Sequence, residues 1–343
     1  MTEIVEEADH GELQEALLPS RSSVVRGLVA LVMLGAFVPS VLGLLGRWGW
    51  LLDLCNHFRF QCAAVLLVTG LGLLLLRSWK MAGVAAAGFV LNLLFVLPLY
   101  LGSPGPVDAD RPTFTVMHFN VHTGNSNHAG VIGEIEAHGP DLLFVQEVNQ
   151  RWVDALTSGL GDYELVVDQS RTDNFGIACY RRKTTGDRPE IEITSGRAHD
   201  ITKGVAQVPV IEISLTLAGD PIHLLSIHPV PPVSLGYARS RDVVLEAAGQ
   251  WAGSQTDPCV VLGDFNATPW STAFRDMESA GDLVNSQVGF GRAPTWPAKF
   301  NTLGMIPIDH LLHSGELVTV DRVLGEANGS DHKPLVVEIG WKQ

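Results

Sequence analysis

Val260-Val261-Leu262-Gly263-Asp264-Phe265-Asn266-Ala267-Thr268-Pro269 joins an apolar run rich in β-branched residues to a cluster of Asn and Pro. An apolar run closed by turn-forming residues is the pattern of a buried strand, here one whose C-terminal end delivers polar side chains into a cleft. Asp264 and Asn266 stand two apart, so an extended backbone points both side chains the same way, an anion beside a neutral amide. That pair suits a phosphate held beside a metal. The same residues also form an Asx-type turn after a strand, and the local pattern fits both readings.

Working outward, composition narrows the class. The chain has 343 residues, enough for one large domain and an accessory, and is 46% hydrophobic with mean hydropathy +0.20, high for a purely soluble protein. Its formal net charge of -14 and pI near 5.2 argue against a general nucleic-acid binder, whose affinity rests on Lys and Arg neutralising phosphates. The 4 cysteines, Cys55, Cys62, Cys179 and Cys259, show no zinc-like spacing and read as buried thiols. A Cys179–Cys259 disulfide would require their strands to be neighbours within bonding distance.

Residues 1–23 are polar and acidic, a tail without a packed core. Three almost wholly apolar runs follow, residues 27–46, 60–76 and 81–101, each near the roughly 20 residues that a helix needs to cross a bilayer. They lack the polar face that a helix of a soluble bundle carries, and the first is too long for a cleaved signal peptide. Arg21 and Arg26 precede the first run, and Arg77 and Lys80 join the second to the third, whereas Arg47 and Arg59 lie between the first two. This bias favours a cytoplasmic N-terminus and, after three spans, a remainder outside the cytoplasm. Trp48, Trp50, Trp79 and Tyr100 fall at span ends, where amphipathic rings prefer the interface. The expected division is a cytoplasmic tail over 1–23, a three-span anchor over 24–102, a linker over 103–112 and a globular domain over 113–343.

In that domain the pattern predicts strands over 114–120, 141–147, 163–167, 176–181, 190–194, 205–217, 221–228, 308–312, 317–323 and 335–339, and helices over 130–138, 152–160, 235–251 and 271–280. Strand after strand ends in a polar residue that a core does not need. The first ends at Asn120, and the second in Gln146-Glu147, where Glu147 reads as a metal ligand, a general base or a helix cap. Another ends in His228, followed by Pro229-Val230-Pro231-Pro232, which stiffens the loop behind the imidazole. Asp309 and His310 lie within a buried strand, where unpaired ionised groups are costly, so both need partners. Asp331 and His332 sit on a turn before the last strand, suited to a metal or to proton transfer. Arg171, Asn174, Arg181 and Arg182 read as solvated surface charge rather than a contact for a second phosphate.

Taken in order, Asn120, Gln146-Glu147, His228, Gly263-Asp264-Phe265-Asn266, Ile308-Asp309-His310 and Ser330-Asp331-His332 resemble the motifs of the endonuclease/exonuclease/phosphatase superfamily, the DNase I-like metal-dependent phosphoesterases. The resemblance covers about residue 113 to the end. With its three spans, the chain also resembles the membrane-anchored VanJ-type branch, associated with dephosphorylation of lipid-linked pyrophosphates. The resemblance implies an α/β fold, a two-layered β-sandwich flanked by helices, here preceded by three transmembrane helices. It implies Glu147 as the principal ligand of Mg2+ or Mn2+, with Asn120 beside it and Asp331 completing the site. Asp264 would orient or deprotonate the attacking water, Asn266 and His228 would bind phosphate oxygens, and His332, buttressed by Asp309, would be the remaining acid or base. Whether Asp264 or His332 is the base stays open, as do the roles of His122 and Asn125, which stand where the family often has a basic or aromatic substrate contact.

The expected function is a multi-pass cell-membrane hydrolase with its catalytic domain outside the cytoplasm. Its partners would be the lipid bilayer and a phosphorylated, lipid-linked substrate. The alternatives are an extracytoplasmic nuclease, a sphingomyelinase-like lipid phosphodiesterase and a catalytically silent binding module.

Overall fold

A computed structural model describes residues 21–102, 105–183, 189–300 and 302–343, so most of the expected tail and the first two residues of the linker lie outside the described residues. The apolar runs form three long helices, α1 (Arg21–Leu42), α2 (Arg59–Leu75) and α3 (Trp79–Val96). With the turns that extend them, these are long and apolar enough to cross a membrane. Met33, Ala36, Leu66, Leu73, Ala82 and Ala85 pack between them, while Leu31, Val32, Val68, Leu71, Val90 and Leu94 stay exposed around the bundle. That distribution suits a lipid surround, because an aqueous one would penalise so much uncovered apolar surface. Residues 43–58, between the first two spans, are a compact set of short helical turns rather than an open loop.

The globular domain begins at β1 (Phe114–Asn120) and contains two six-stranded sheets. The first sheet runs β11 (Leu317–Leu324), β12 (Leu335–Trp341), β1, β2 (Leu142–Gln146), β4 (Ile177–Arg182), β3 (Tyr163–Gln169). The second runs β5 (Ile191–His199), β6 (Val210–Leu217), β7 (Asp220–Ser226), β8 (Cys259–Asp264), β10 (Asp309–His313), β9 (Val284–Asn285). This is the expected two-layered sandwich. Helices α4 (His128–His138) and α5 (Gln150–Gly159) cover the outer face of the first sheet, and α6 (Leu235–Gly253) and α7 (Thr272–Ala280) that of the second.

Strand periodicity explains where the polar residues go. Phe114, Val116, Leu142, Phe144, Leu224, Val260, Leu262 and Leu311 fill the core between the sheets, whereas Met117, Leu143, Leu225, Val261 and Leu312 face the outer helices. Side chains alternate along a strand, so His118, Asn120, Gln146, Ser226, Asp264 and Asp309 share the inward parity and close one end of the inter-sheet core. Register aligns them: Asn120 lies opposite Gln146 on a parallel pair, and Asp309 opposite Asp264 on an antiparallel one. Gln146 ties the sheets together there, donating to the Ile227 carbonyl at 2.9 Å and accepting from the Asp264 N–H at 3.1 Å. Gly263, with φ 139°, permits this approach, since a Cβ would collide with the Ile227 carbonyl.

The structure moves one expected strand start, settles the cysteines and shows the course of the described part of the linker. The strand expected over 205–217 starts only at Val210, because residues 201–206 turn. All four cysteines are free, so the Cys179–Cys259 disulfide is absent. Cys179 and Cys259 lie on β4 and β8, strands of different sheets. The linker lies along the end of the sandwich: Val107 bridges Lys342, and the Arg111 guanidinium stacks 3.3 Å over the Trp341 ring.

Candidate active site

One oxygen collects the site. Asp264 Oδ2 lies 3.3 Å from Asn120 Nδ2, 3.5 Å from His228 Nε2 and 3.7 Å from His332 Nε2. Its other oxygen accepts the Asn266 N–H at 2.9 Å, so the opening stretch does form an Asx-type turn after its strand. That turn sets Asn266 at φ 48° and aims its amide at the Pro229 carbonyl, 3.0 Å away, which braces the loop leaving His228. Phe175 packs against the His228 ring at 5.4 Å.

A second group hangs from Asn120. Its Nδ2 also donates to Glu147 Oε1 at 3.1 Å, while Glu147 Oε2 accepts the Thr123 N–H at 3.2 Å. Glu147 has φ 59°, and the Thr123 hydroxyl holds its carbonyl at 2.9 Å. His122 Nδ1 stands 3.7 Å from Glu147 and 3.5 Å from Asp331, so these two carboxylates face one imidazole from either side. Asp331 accepts from Trp296 Nε1 at 3.1 Å through Oδ2, whereas its Oδ1 has no hydrogen-bond partner among the described residues. Asn125 is turned away from this group, bonding the Asn328 carbonyl at 3.2 Å.

Behind both groups lies a buried relay. Asp309 accepts from His332 Nδ1 at 2.9 Å and from His118 Nε2 at 2.8 Å, one imidazole on each oxygen. Burial pushes the Asp309 carboxyl up, but the His332 and His118 imidazoles outweigh it and hold it well below the usual carboxylate range. Burial likewise pushes His332 down, and the Asp309 and Asp264 carboxylates overcome that and raise it to about 10. His332 is further fixed by Ser330, whose hydroxyl accepts the His332 N–H at 3.0 Å and donates to the Asn120 carbonyl at 2.6 Å.

Two sets of side chains have cation-like spacing. Ligand atoms of Asp264, Asp309 and His332 lie within 4.8 Å of one another. In that set, however, both Asp309 oxygens and His332 Nδ1 are consumed by mutual hydrogen bonds, and the two acids are 3% and 0% exposed. The Glu147 and Asp331 carboxylates are 13% and 41% exposed, and Asp331 Oδ1, without a hydrogen bond among the described residues, lies 3.5 Å from His122 Nδ1. A hard cation that keeps part of its water fits the second set better.

All eight expected residues, Asn120, Glu147, His228, Asp264, Asn266, Asp309, Asp331 and His332, come together at this end of the sandwich. His310 stands apart. Its opposite parity turns it to the outer face, where it donates from Nε2 to the Ala267 carbonyl at 2.8 Å and packs against Phe274. Burial lowers it to about 4, leaving it a neutral core residue. Arg171, Arg181 and Arg182 pair with Asp173, Glu164 and Asp162, in keeping with surface charge.

Sequence reasoning passed over His118, which lies mid-strand with no motif around it. It also passed over Trp296, in a loop-rich stretch, and over the anchor's contacts with the site-bearing segments. Asp53, between the first two spans, accepts from the Thr272 N–H at 2.7 Å, the Ser271 hydroxyl at 2.8 Å and Arg241 Nη2 at 3.1 Å. Arg241 in turn donates to the Asn266 carbonyl at 3.3 Å. His57 Nδ1 accepts the Thr268 N–H at 3.2 Å, and Trp270 donates to the Phe95 carbonyl at 2.9 Å. The segment after β8 is therefore held by the helical bundle.

A sandwich of two six-stranded sheets, with acids, amides and imidazoles at one end, defines the DNase I-like class. The chain belongs to the endonuclease/exonuclease/phosphatase family, whose pattern it matches over residues 117–332. Solved structures agree in fold. The chain resembles D. rerio TDP2 in complex with a single-strand DNA product at 14% identity and TM-score 0.55, covering 68% of this chain and 100% of that one. It resembles a Bacteroides vulgatus endonuclease/exonuclease/phosphatase at 15% identity and TM-score 0.54, covering 68% and 100%. It also resembles a Bacteroides thetaiotaomicron mannosyl-6-phosphatase at 17% identity and TM-score 0.51, covering 66% and 100%. No curated protein matched significantly.

Proposed function

We propose that this chain is a membrane-anchored phosphoesterase, dependent on Mg2+ or Mn2+, that hydrolyses a lipid-linked phosphate or pyrophosphate outside the cytoplasm, as in the VanJ-type branch. The observation that carries the chemistry is the convergence of Asn120, His228 and His332 on Asp264 Oδ2 beside Glu147. In this reading Glu147, Asp331 and the Asn120 amide hold the cation, which when bound supplies positive charge to a phosphoryl oxygen. Asp264 orients the attacking water and accepts its proton. His332, whose Nδ1 is held by Asp309 at 2.9 Å, serves as donor to the phosphoryl group or leaving oxygen. His228 and the Asn266 amide complete the oxygen-binding ring.

The three spans support the membrane assignment, and we read residues 1–23 as the cytoplasmic tail, 24–102 as the anchor, 103–112 as the linker and 113–343 as the catalytic domain. Arg47 and Arg59, the two basic residues that weigh against this orientation, have protein partners. Arg47 pairs with Asp276, and buried Arg59 bonds the Ser40 carbonyl at 2.7 Å and Asn56 Oδ1 at 2.6 Å. Net charge -14 disfavours DNA.

The deciding experiment places the full-length protein in vesicles with Mg2+ and compares initial rates on a polyprenyl pyrophosphate and on plasmid DNA, at matched phosphate concentration and moderate salt. Faster lipid hydrolysis, abolished by chelator, is expected. Efficient DNA cleavage without lipid hydrolysis would shift the assignment to a nuclease, and release of a phosphorylated headgroup from sphingomyelin to a phosphodiesterase.

A further inference from the structure

Large apolar side chains that remain exposed outside the spans are few, and among the described residues five fall in two short segments. Val233, Leu235 and Tyr237 are 72%, 44% and 52% exposed, and Phe300 and Leu303 are 54% and 62% exposed. Each segment starts in the active site and ends on the anchor. The first leaves His228 through the braced Pro229 carbonyl and reaches Leu235 and Ala238, which line a cavity of about 690 Å³ together with Trp48 and Trp50 at the end of the first span. The second leaves Trp296, bonded to Asp331, and its Leu303 and Met305 carbonyls accept from Gln61 Nε2 at 3.1 and 2.9 Å.

The Gln61 bonds fix the level of the second segment, and the shared cavity sets the first beside Trp48 and Trp50. Gln61 is the third residue of α2, so at about 1.5 Å per residue Leu303 sits within a turn of where the second span begins. Trp48 is 79% exposed at the end of the first span, a position where indole rings mark the boundary between lipid and water. Lys299 adds a cation 5.4 Å from the Phe300 ring centroid, an amphipathic pairing suited to headgroups. A protein partner would have to share this level with lipid headgroups on every side of the bundle.

We infer that Val233, Leu235 and Tyr237 on one side, and Phe300 and Leu303 on the other, are two apolar lips that rest in the headgroup layer of the bilayer on the side of the catalytic domain, placing the His228 and Asp331 end of the sandwich at the lipid surface. The inference rests on the membrane-spanning reading of the anchor and deepens the proposed function: a substrate whose phosphate lies in the headgroup layer would reach the site without leaving the membrane, whereas a soluble one would have to enter at the rim.

The test reads membrane contact directly and is independent of which phosphoester is cleaved. In full-length protein with Cys55→Ser, the other three native thiols being buried, single cysteines replace Val233, Phe300 or Thr256 and carry an environment-sensitive fluorophore. Thr256 lies just before β8, at the opposite end of that strand from Asp264, and is exposed. The proteins are placed in phosphatidylcholine–phosphatidylglycerol vesicles containing nitroxide-labelled lipid, and their thermal unfolding is checked against the unlabelled chain. Probes at 233 and 300 should lose most of their fluorescence while the probe at 256 keeps its own. Equal quenching at all three positions, or none at 233 and 300, overturns the inference even where lipid hydrolysis is found. Strong selective quenching with no lipid hydrolysis sustains the lips and removes only the substrate assignment.

Discussion

Asp309 lies between two imidazoles and is 0% exposed, so its charge is useful only while both donors remain. In Asp309→Asn, the amide keeps one acceptor oxygen and presents an N–H2 where the second imidazole donates. His332 then loses the partner that holds its second proton. Turnover should fall by up to about 10⁴-fold, the loss that follows when the carboxylate behind a catalytic imidazole becomes an amide. His118→Gln should cost less, about 10-fold, since His332 keeps its own carboxylate. Steady-state kcat on a soluble phosphoester with Mg2+ checks both, and equal loss in the two variants would show that Asp309 works through His118 as much as through His332. The Asp309–His332 pair was legible from the motif order. His118 was not, although Phe114, Val116, His118 and Asn120 share one parity, because a single histidine inside an apolar strand carries no local sign of a partner 191 residues away. Glu278 offers a second residue-level expectation. Burial raises its carboxyl to about 7 from 4.5, against the attraction of Arg275. The folded state therefore holds a proton that the unfolded chain releases between those values, so stability falls as pH rises through that window, and the penalty is complete above it. Glu278→Gln should raise the unfolding midpoint near about pH 8, by about 1–3 kcal/mol in stability, and leave it unchanged near about pH 4. An equal effect at both values would mean that the carboxyl is not titrating in this way.

Strand β8 shows how an element imposes the site. Its inward parity places Asp264 at the end of the inter-sheet core, and Gly263 lets the Ile227 carbonyl and the Gln146 amide approach the backbone closely. Gly263→Ala should destabilise the domain by about 3 kcal/mol or more, because a Cβ on a left-handed backbone would meet main chain that cannot yield without parting the sheets. Urea unfolding in detergent measures the loss, and a change below about 1 kcal/mol would mean that the two sheets shift apart easily at this end. Strand and helix identities were largely readable, since the apolar runs of residues 114–120 and 260–264 and the apolar stripe of α6 reflect local burial. Elements set by distant contacts were not. Residues 53–59 look like a short connection in sequence, yet Asp53 and His57 are buried, and their partners Arg241, Thr268, Ser271 and Thr272 lie far along the chain. No local period encodes such a contact.

At the scale of the whole molecule, the helical bundle is built into the sandwich domain rather than joined to it by a leash. Residues 105–112 run along the end of β12 remote from Asn120, while the bundle holds the segments that follow the site strands. Leu99 accepts from the Gly289 and Gly291 N–H groups at 2.9 and 2.8 Å, and Trp270 packs with Val96 and Leu99. Asp53 and Arg241 form an ion pair 6% and 2% exposed, and removing one member of such a pair leaves the other charged in a dry setting. Arg241 retains Asp242 at 2.8 Å, so the loss in Asp53→Ala should lie toward the lower end of the usual range, about 3 kcal/mol. Because Arg241 also bonds the Asn266 carbonyl, the variant should reduce turnover of a soluble phosphoester, which gains nothing from the membrane. Deleting residues 1–102 should do both to a greater degree, uncovering Trp270 and lowering the unfolding temperature of the remaining domain in the same detergent. A truncated domain with unchanged unfolding temperature and unchanged turnover would show the anchor to be a tether alone, and an Asp53→Ala protein that loses stability but keeps full turnover would confine the junction to a structural role.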